Sequence, residues 1–321
     1  MTASRSLPDV PAIVSPDEWD LRLGSPSKIN LFLRVVGKRA DGYHELASLM
    51  QSISLHDTLY FSVKTEKDGK PHEDSLECDN SDIPTDSSNL VLKAIEKFRS
   101  KTGIEKYFKV RLEKRVPHEA GLGGGSANAA TALWAANQLS GKPCTAEQLA
   151  EFGADFGSDI SFFLSEGTAY CTGRGEIMEF VPRLPPQALY IVKPYEGLST
   201  AEVFKNMDLS ECSEKDPREL LRKMQKGVIF ADFVNDLETP SFRLMPRLKT
   251  LKEDLYKAGF NVVLMSGSGT SFFCLGQPWE EDFMEVFPAQ HNVQVFKCFF
   301  HGRRYSDMWY FEHPPLTPKE T

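Results

Sequence analysis

The chain has no apolar run approaching the ~20 residues needed to cross a bilayer, no excess of positive charge, no paired cysteines, and no lysine inside its most glycine-rich turn. The first absence excludes a transmembrane helix. With 37 Lys and Arg against 45 Asp and Glu, the net charge of −8 opposes the counterion release that drives nonspecific nucleic-acid binding, so no nucleic-acid partner is expected. Cys78, Cys144, Cys171, Cys212, Cys274 and Cys298 are scattered singly, without CxxC or zinc spacing, and read as reduced core thiols. "HEA" at 118–120 opens like a zinc-protease helix, but Leu122 stands where the second histidine belongs, so no metal site is expected. The first twenty residues hold three prolines and four acids and no apolar h-region, which suggests a flexible leader over 1–19 rather than a secretory signal.

What is present fits a globular protein: 321 residues, 41% hydrophobic and 26% charged, enough for two domains. "INLFLRVV" (29–36), "TLYFSV" (58–63) and "YFKVRLEKRV" (107–116) read as strands. The polar stretch at 64–88 reads as an exposed loop or hairpin edge. "NLVLKAIEKF" (89–98) is an amphipathic helix behind a Ser/Asn cap, and 126–139 is the next helix. Pro182, Pro185 and Pro186 break any regular element, which divides the chain into 20–183 and 187–305, with a tail over 306–321. The second half mixes helices near 217–226 and 245–258 with strands in "LYIVKP", "NVVLMSGSGTSFFCL" and "VQVFKCFF". The fold class is α+β.

The segment "RVPHEAGLGGGSANAATALWAANQL" feeds a glycine-rich turn into an Ala-rich helix. Unpaired amides at such a helix start form an anion site, and phosphate is the natural guest. A tight packing turn fits the same letters. Walker A requires GK[ST] where Gly125-Ser126-Ala127 stands, and the dinucleotide fingerprint requires a third glycine at Ser126, so neither matches. A "DFG" at 155–157 lacks the other protein-kinase motifs.

Set beside "SPSKINLFLRVVGKRADGYHEL" (25–46), "GSDISFFL" (157–164), "CTGRGE" and "MSGSGTSFF" (265–273), the loop resembles the GHMP kinases. Within that superfamily it is most similar to the kinases of cytidine-diphosphate-linked methylerythritol in non-mevalonate isoprenoid biosynthesis. The resemblance runs from about Ser25 to Leu275. It implies the two-domain GHMP kinase fold, with an N-terminal domain like ribosomal protein S5 domain 2 and a ferredoxin-like C-terminal domain. It also implies ATP as phosphoryl donor, Mg²⁺ carried mainly with ATP, a small-molecule acceptor, and a bacterial cytoplasm or plastid stroma as the compartment.

The same resemblance assigns roles residue by residue. Asp159 matches the base that takes the hydroxyl proton, although a helix N-cap explains an Asp before an apolar run equally simply. Lys28 matches the motif lysine beside it, against the reading of an ordinary strand-start lysine. Asn89 and Lys114 match positions near the ATP base and phosphates. Pro117, Gly121, Leu122, Gly123, Gly124, Gly125, Ser126 and Ala127 belong to the loop around the triphosphate. Asn30, Tyr43 and His44 match the acceptor side, the two rings stacking on and hydrogen-bonding cytosine, with Thr200 and Phe204 as a second wall. Gly267, Ser268 and Gly269 are expected near phosphates and acceptor, or form a plain hairpin turn. Glu119 departs from the family pattern and puts an anion beside the phosphate loop. The rival readings are a GHMP kinase with another small acceptor and a silent nucleotide-binding regulator.

Overall fold

The computed structural model describes residues 19–66, 70, 72–228 and 231–312. The expected leader lies outside the described residues except for Trp19, whose buried ring meets Tyr60 at a centroid distance of 5.8 Å. Among the described residues no helix is long and apolar enough to cross a membrane.

The first lobe is organised by two long strands, β1 (Leu21–Lys38) and β2 (His44–Val63), paired antiparallel from Leu21↔Phe61 to Lys38↔His44. The runs at 29–36 and 58–63 are parts of these longer strands. The polar stretch after β2 contributes β3 (Ser75–Cys78), which pairs parallel at the sheet edge with β4 (Phe108–Glu113). The other half of β2 pairs with β5 (Thr168–Gly173), which pairs in turn with β6 (Ile177–Phe180).

Four helices cover one face. In α1 (Leu90–Thr102) the Asn89 side chain accepts from Val91 N, and Gly103 (φ 70°) closes the last turn onto Arg99 O. Its buried stripe is Val91, Ala94, Ile95 and Phe98, the residues the periodicity singles out. Helix α2 (Gly124–Leu139) is buried on every side from Ala127 to Asn137; its alanines let it sit against β1, α1 and the shorter α3 (Ala146–Ala154) and α4 (Ile160–Phe163). Phe61, Phe98, Phe108, Leu133, Phe162 and Phe163 fill the core between sheet and helices.

In the second lobe, β7 (Ala188–Pro194) is followed by α5 (Thr200–Lys205), α6 (Pro217–Lys226), α7 (Glu238–Leu244) and α8 (Arg247–Lys257). Then come β8 (Phe260–Met265), β9 (Phe272–Gly276), α9 (Phe283–His291) and β10 (Val293–Phe299). The strands form an antiparallel sheet in the order β10-β7-β9-β8. A shared apolar cluster, including Ile29, Leu31, Leu49, Ile53, Ile191 and Phe273, joins the lobes. Asp236 adds a polar weld, accepting from Arg34 Nε at 2.9 Å and Val35 N at 2.7 Å.

The chain then returns to the first lobe, where β11 (Phe311–Glu312) pairs with β1. Within the segment expected as tail, Trp309 and Tyr310 are buried and Phe311–Glu312 add a short strand at the sheet edge. Trp309 is buried against Trp134 and donates to Gly24 O at 2.9 Å, while the buried Arg303 guanidinium lies 4.4 Å from the Trp134 ring centre. The register is long-range and invisible to local patterning. Residues 313–321 lie outside the described residues.

Candidate active site

Between the lobes lies a cleft of about 1220 Å³, and its chemistry begins on β1. The strand period turns Lys28 and Asn30 to one face. Lys28 Nζ donates to Asn30 Oδ1 at 2.8 Å and lies 3.4 Å from Asp159 Oδ2. Asn30 Nδ2 donates to Ser48 Oγ at 2.8 Å, and Ser48 donates onward to Phe32 O at 2.7 Å. A donor at Oδ1 and an acceptor at Nδ2 fix the orientation of the Asn30 amide. The lysine side chain is 5% exposed and the aspartate 26%, which leaves a carboxylate reachable from the cleft beside a buried cation. Asp159 directly precedes α4 but makes no capping hydrogen bond. Its carboxylate turns to Lys28 instead.

The glycine loop closes over this pair. Lys28 N donates to Leu122 O at 2.9 Å, and Gly123 (φ 68°) begins α2 without any side-chain cap. The first amides of a 16-residue helix are thus free of a capping side chain at the cleft wall. A Cβ at Gly123 would come within 3.1 Å of both the Lys28 and Phe163 side chains. Gly121 (φ 72°) touches the second glycine turn: an added Cβ would stand 2.0 Å from Ser266 O, and Ser266 Oγ donates to Gly121 O at 2.9 Å. Asn235 clamps that turn from below, donating to Met265 O and Gly267 O.

At the opposite end, His44 stacks on Phe204 with centroids 5.2 Å apart and 23° between the planes. On the second-lobe wall of the cleft, Thr200 and Ser268 share a 2.7 Å hydrogen bond. Tyr43 is 57% exposed on the turn that Asp41 closes by accepting from Tyr43 N at 3.1 Å. Burial, and secondarily Lys38, holds the His44 imidazole below the ordinary histidine range.

Other expected residues sit differently. Lys114 Nζ stands against the loop, 3.4 Å from where a Gly124 Cβ would lie, but pairs with the fully buried Asp57 carboxylate. The Asn89 amide is used locally, capping α1 and donating to Pro84 O, although the residue borders the cleft. Ala127 does not reach the cleft; its side chain is in the α2 core and its N–H bonds Gly123 O. Gly269 is likewise behind the wall, facing Met265. Glu119 (φ 48°) leans on Gly197, where an added Cβ would meet its Oε2 at 2.7 Å. Its charge thus faces the second lobe near Lys193, whose ammonium burial pushes down to about 8 while Glu196 and Glu119 oppose the shift.

Family models match on both sides of this cleft: the GHMP kinases N terminal domain over residues 89–167 and the GHMP kinases C terminal over 209–285. The 4-diphosphocytidyl-2-C-methyl-D-erythritol kinase of Protochlamydia amoebophila (strain UWE25) is 48% identical over 299 residues, 93% of this chain and 96% of that protein. The chain belongs to the GHMP kinases. A chloroplastic 4-diphosphocytidyl-2-C-methyl-D-erythritol kinase of Mentha piperita is 45% identical over 307 residues, 94% of this kinase and 74% of that protein. The crystal structure of a 4-(cytidine 5'-diphospho)-2C-methyl-D-erythritol kinase superposes with TM-score 0.73 at 29% identity, covering 88% of this kinase and all of that chain. A homoserine kinase from Cytophaga hutchinsonii shares the fold at TM-score 0.63 and 16% identity. The resemblance drawn from the motifs therefore holds, as does the two-domain α+β GHMP fold, and this kinase is an ATP-dependent phosphotransferase.

Two residues that line the kinase's cleft, and a third behind Asn30, escape motif reasoning. Asn128, inside "SANAA", is buried and borders the cleft with Oδ1 unpartnered within the protein. Ser48 lies on β2 and acts through Asn30. Arg174, inside "CTGRGE", enters the cleft from the β5–β6 turn. Only the quoted motif pointed to Arg174, and it carried no role.

Proposed function

We propose that this chain transfers the γ-phosphoryl group of ATP to the 2-hydroxyl of 4-diphosphocytidyl-2-C-methyl-D-erythritol, giving the 2-phosphate and ADP in non-mevalonate isoprenoid biosynthesis. The observation that carries the reading is the Lys28–Asp159 pair at the mouth of an uncapped, glycine-turned helix, with the His44–Phe204 stack across the same cleft. Relatives bearing that enzyme's name cover nearly the whole chain.

The transfer is direct and in line. Asp159 accepts the proton as the acceptor oxygen bonds to the γ-phosphorus, and the bond from that phosphorus to the ADP oxygen breaks. Lys28, 3.4 Å from Asp159, offsets charge on the transferring group, while the loop amides and Ser126 hold the donor phosphates. Ser126 and Asp159 both line the cleft, so a hydroxyl and a carboxylate open onto the same space. Those are hard oxygen donors that suit Mg²⁺ delivered with the nucleotide and still largely hydrated; the ion would neutralise phosphate charge there.

Residues 20–183 with the returning strand carry ATP and the base, and 187–305 close the acceptor side. The compartment proposed is a bacterial cytoplasm or plastid stroma. ADP release measured with ATP, Mg²⁺ and each of CDP-linked methylerythritol, mevalonate and homoserine tests the assignment. Release dependent on the first acceptor supports it, and equal or greater release with another acceptor overturns it.

A further inference from the structure

The acceptor proposed above has its nucleobase at one end, its reacting polyol at the other, and a diphosphate between them. The cleft repeats that order. Its reacting end is Asp159, its stacking end is Tyr43, His44 and Phe204, and Arg174 stands between the two. The guanidinium carbon is 5.1 Å from the Tyr43 ring centre, and the next residue, Gly175, is so placed that an added Cβ would be 3.9 Å from Asp159 Oδ1.

Arg174 is held at this position from both sides. Glu45 accepts from Gly173 N at 3.0 Å through one oxygen and from Arg39 at 3.0 Å through the other, which ties the β5–β6 turn to the turn carrying Tyr43. Glu176 accepts from Arg174 N at 2.6 Å, yet its carboxylate is 3.6 Å from Arg174 Nε, beyond hydrogen-bond distance. Asp41 lies within Coulombic reach as a second acid. The Arg174 side chain remains 39% exposed and lines the cleft; Glu176 pairs with it at 3.6 Å through Nε, without a direct hydrogen bond to the guanidinium fork.

We infer that Arg174 is a binding residue for the diphosphate of the acceptor, gripping it with guanidinium N–H groups while its plane packs on Tyr43. Arg suits the task because its planar fork matches phosphate oxygens and stacks on an aromatic face at once. This rests on the acceptor reading above. It adds a specificity device that selects a nucleoside diphosphate over a nucleoside, independent of the cytosine stack.

The test compares CDP and cytidine as inhibitors competitive with the acceptor, in the full-length kinase and in Arg174→Met and Arg174→Lys. In the wild type, CDP binds more tightly than cytidine. In Arg174→Met that preference shrinks about tenfold, while the inhibition constant of cytidine and KM for ATP change less than about twofold. Arg174→Lys, which keeps charge but loses the fork, falls between. An Arg174→Met enzyme retaining the wild-type preference for CDP overturns the role of Arg174 alone. A wild type that neither CDP nor cytidine inhibits overturns the acceptor reading together with it.

Discussion

Lys28 Nζ lies closer to Asn30 Oδ1, at 2.8 Å, than to Asp159 Oδ2, at 3.4 Å. The ammonium is therefore anchored on its own strand and presented to the aspartate, rather than collapsed onto it. Ser48 completes the anchor by accepting from Asn30 Nδ2. Ser48→Ala leaves that amide N–H without its acceptor in a buried setting, a loss of about 1 kcal/mol, or about fivefold. Steady-state kinetics should show it in kcat with KM for ATP held. An effect on KM alone would place Ser48 outside the Lys28 anchor.

The two glycine turns meet at Gly121 and Ser266. Gly121→Ala puts a methyl group 2.0 Å from a carbonyl oxygen and also forces a side chain into left-handed backbone. Strain of about 1–2 kcal/mol from the backbone and about 1–3 kcal/mol from overpacking is expected. Urea unfolding should report a loss in that range together with a raised KM for ATP.

His44 provides a pH signature. Its folded pKa is depressed, so between its ordinary value near 6.5 and the lower folded value the unfolded chain binds the proton and the folded chain does not. The stability owed to neutral His44 is present above pH ~6.5 and is lost as pH falls through the folded value. KM for the acceptor, which reports the folded enzyme alone, should rise as pH falls through the lowered folded value, and His44→Phe should flatten the rise.

Trp309 tests the returning strand. Its indole is buried on Trp134 and donates to Gly24 O. Trp309→Ala should cost about 3–5 kcal/mol in chemical unfolding. A change under 1 kcal/mol would mean that residues 306–312 contribute no core to the first lobe.

Legibility followed range. Asn89 with the Val91, Ala94, Ile95 and Phe98 stripe announces α1, because cap and period are local signals. The alternation of β4 and the apolar second-lobe strands are visible for the same reason. At the site, motif letters bring Lys28, Asp159, His44 and Phe204 into one cleft. They are silent on distant partners: the Lys114 charge is matched by Asp57, and the Trp309 indole donates to Gly24 O. Those facts depend on partners 57 residues away in the Lys114 case and 285 in that of Trp309 and Gly24, and no window of sequence holds both ends.

The most direct measurement is single-turnover phosphoryl transfer by Asp159→Ala, since Asp159 makes no capping bond whose loss would unfold α4. With ATP, Mg²⁺ and CDP-linked methylerythritol, ADP formation should fall by about two to four decades while the unfolding midpoint holds within a few degrees. A variant that turns over at near wild-type rate removes Asp159 as the base and contradicts the mechanism.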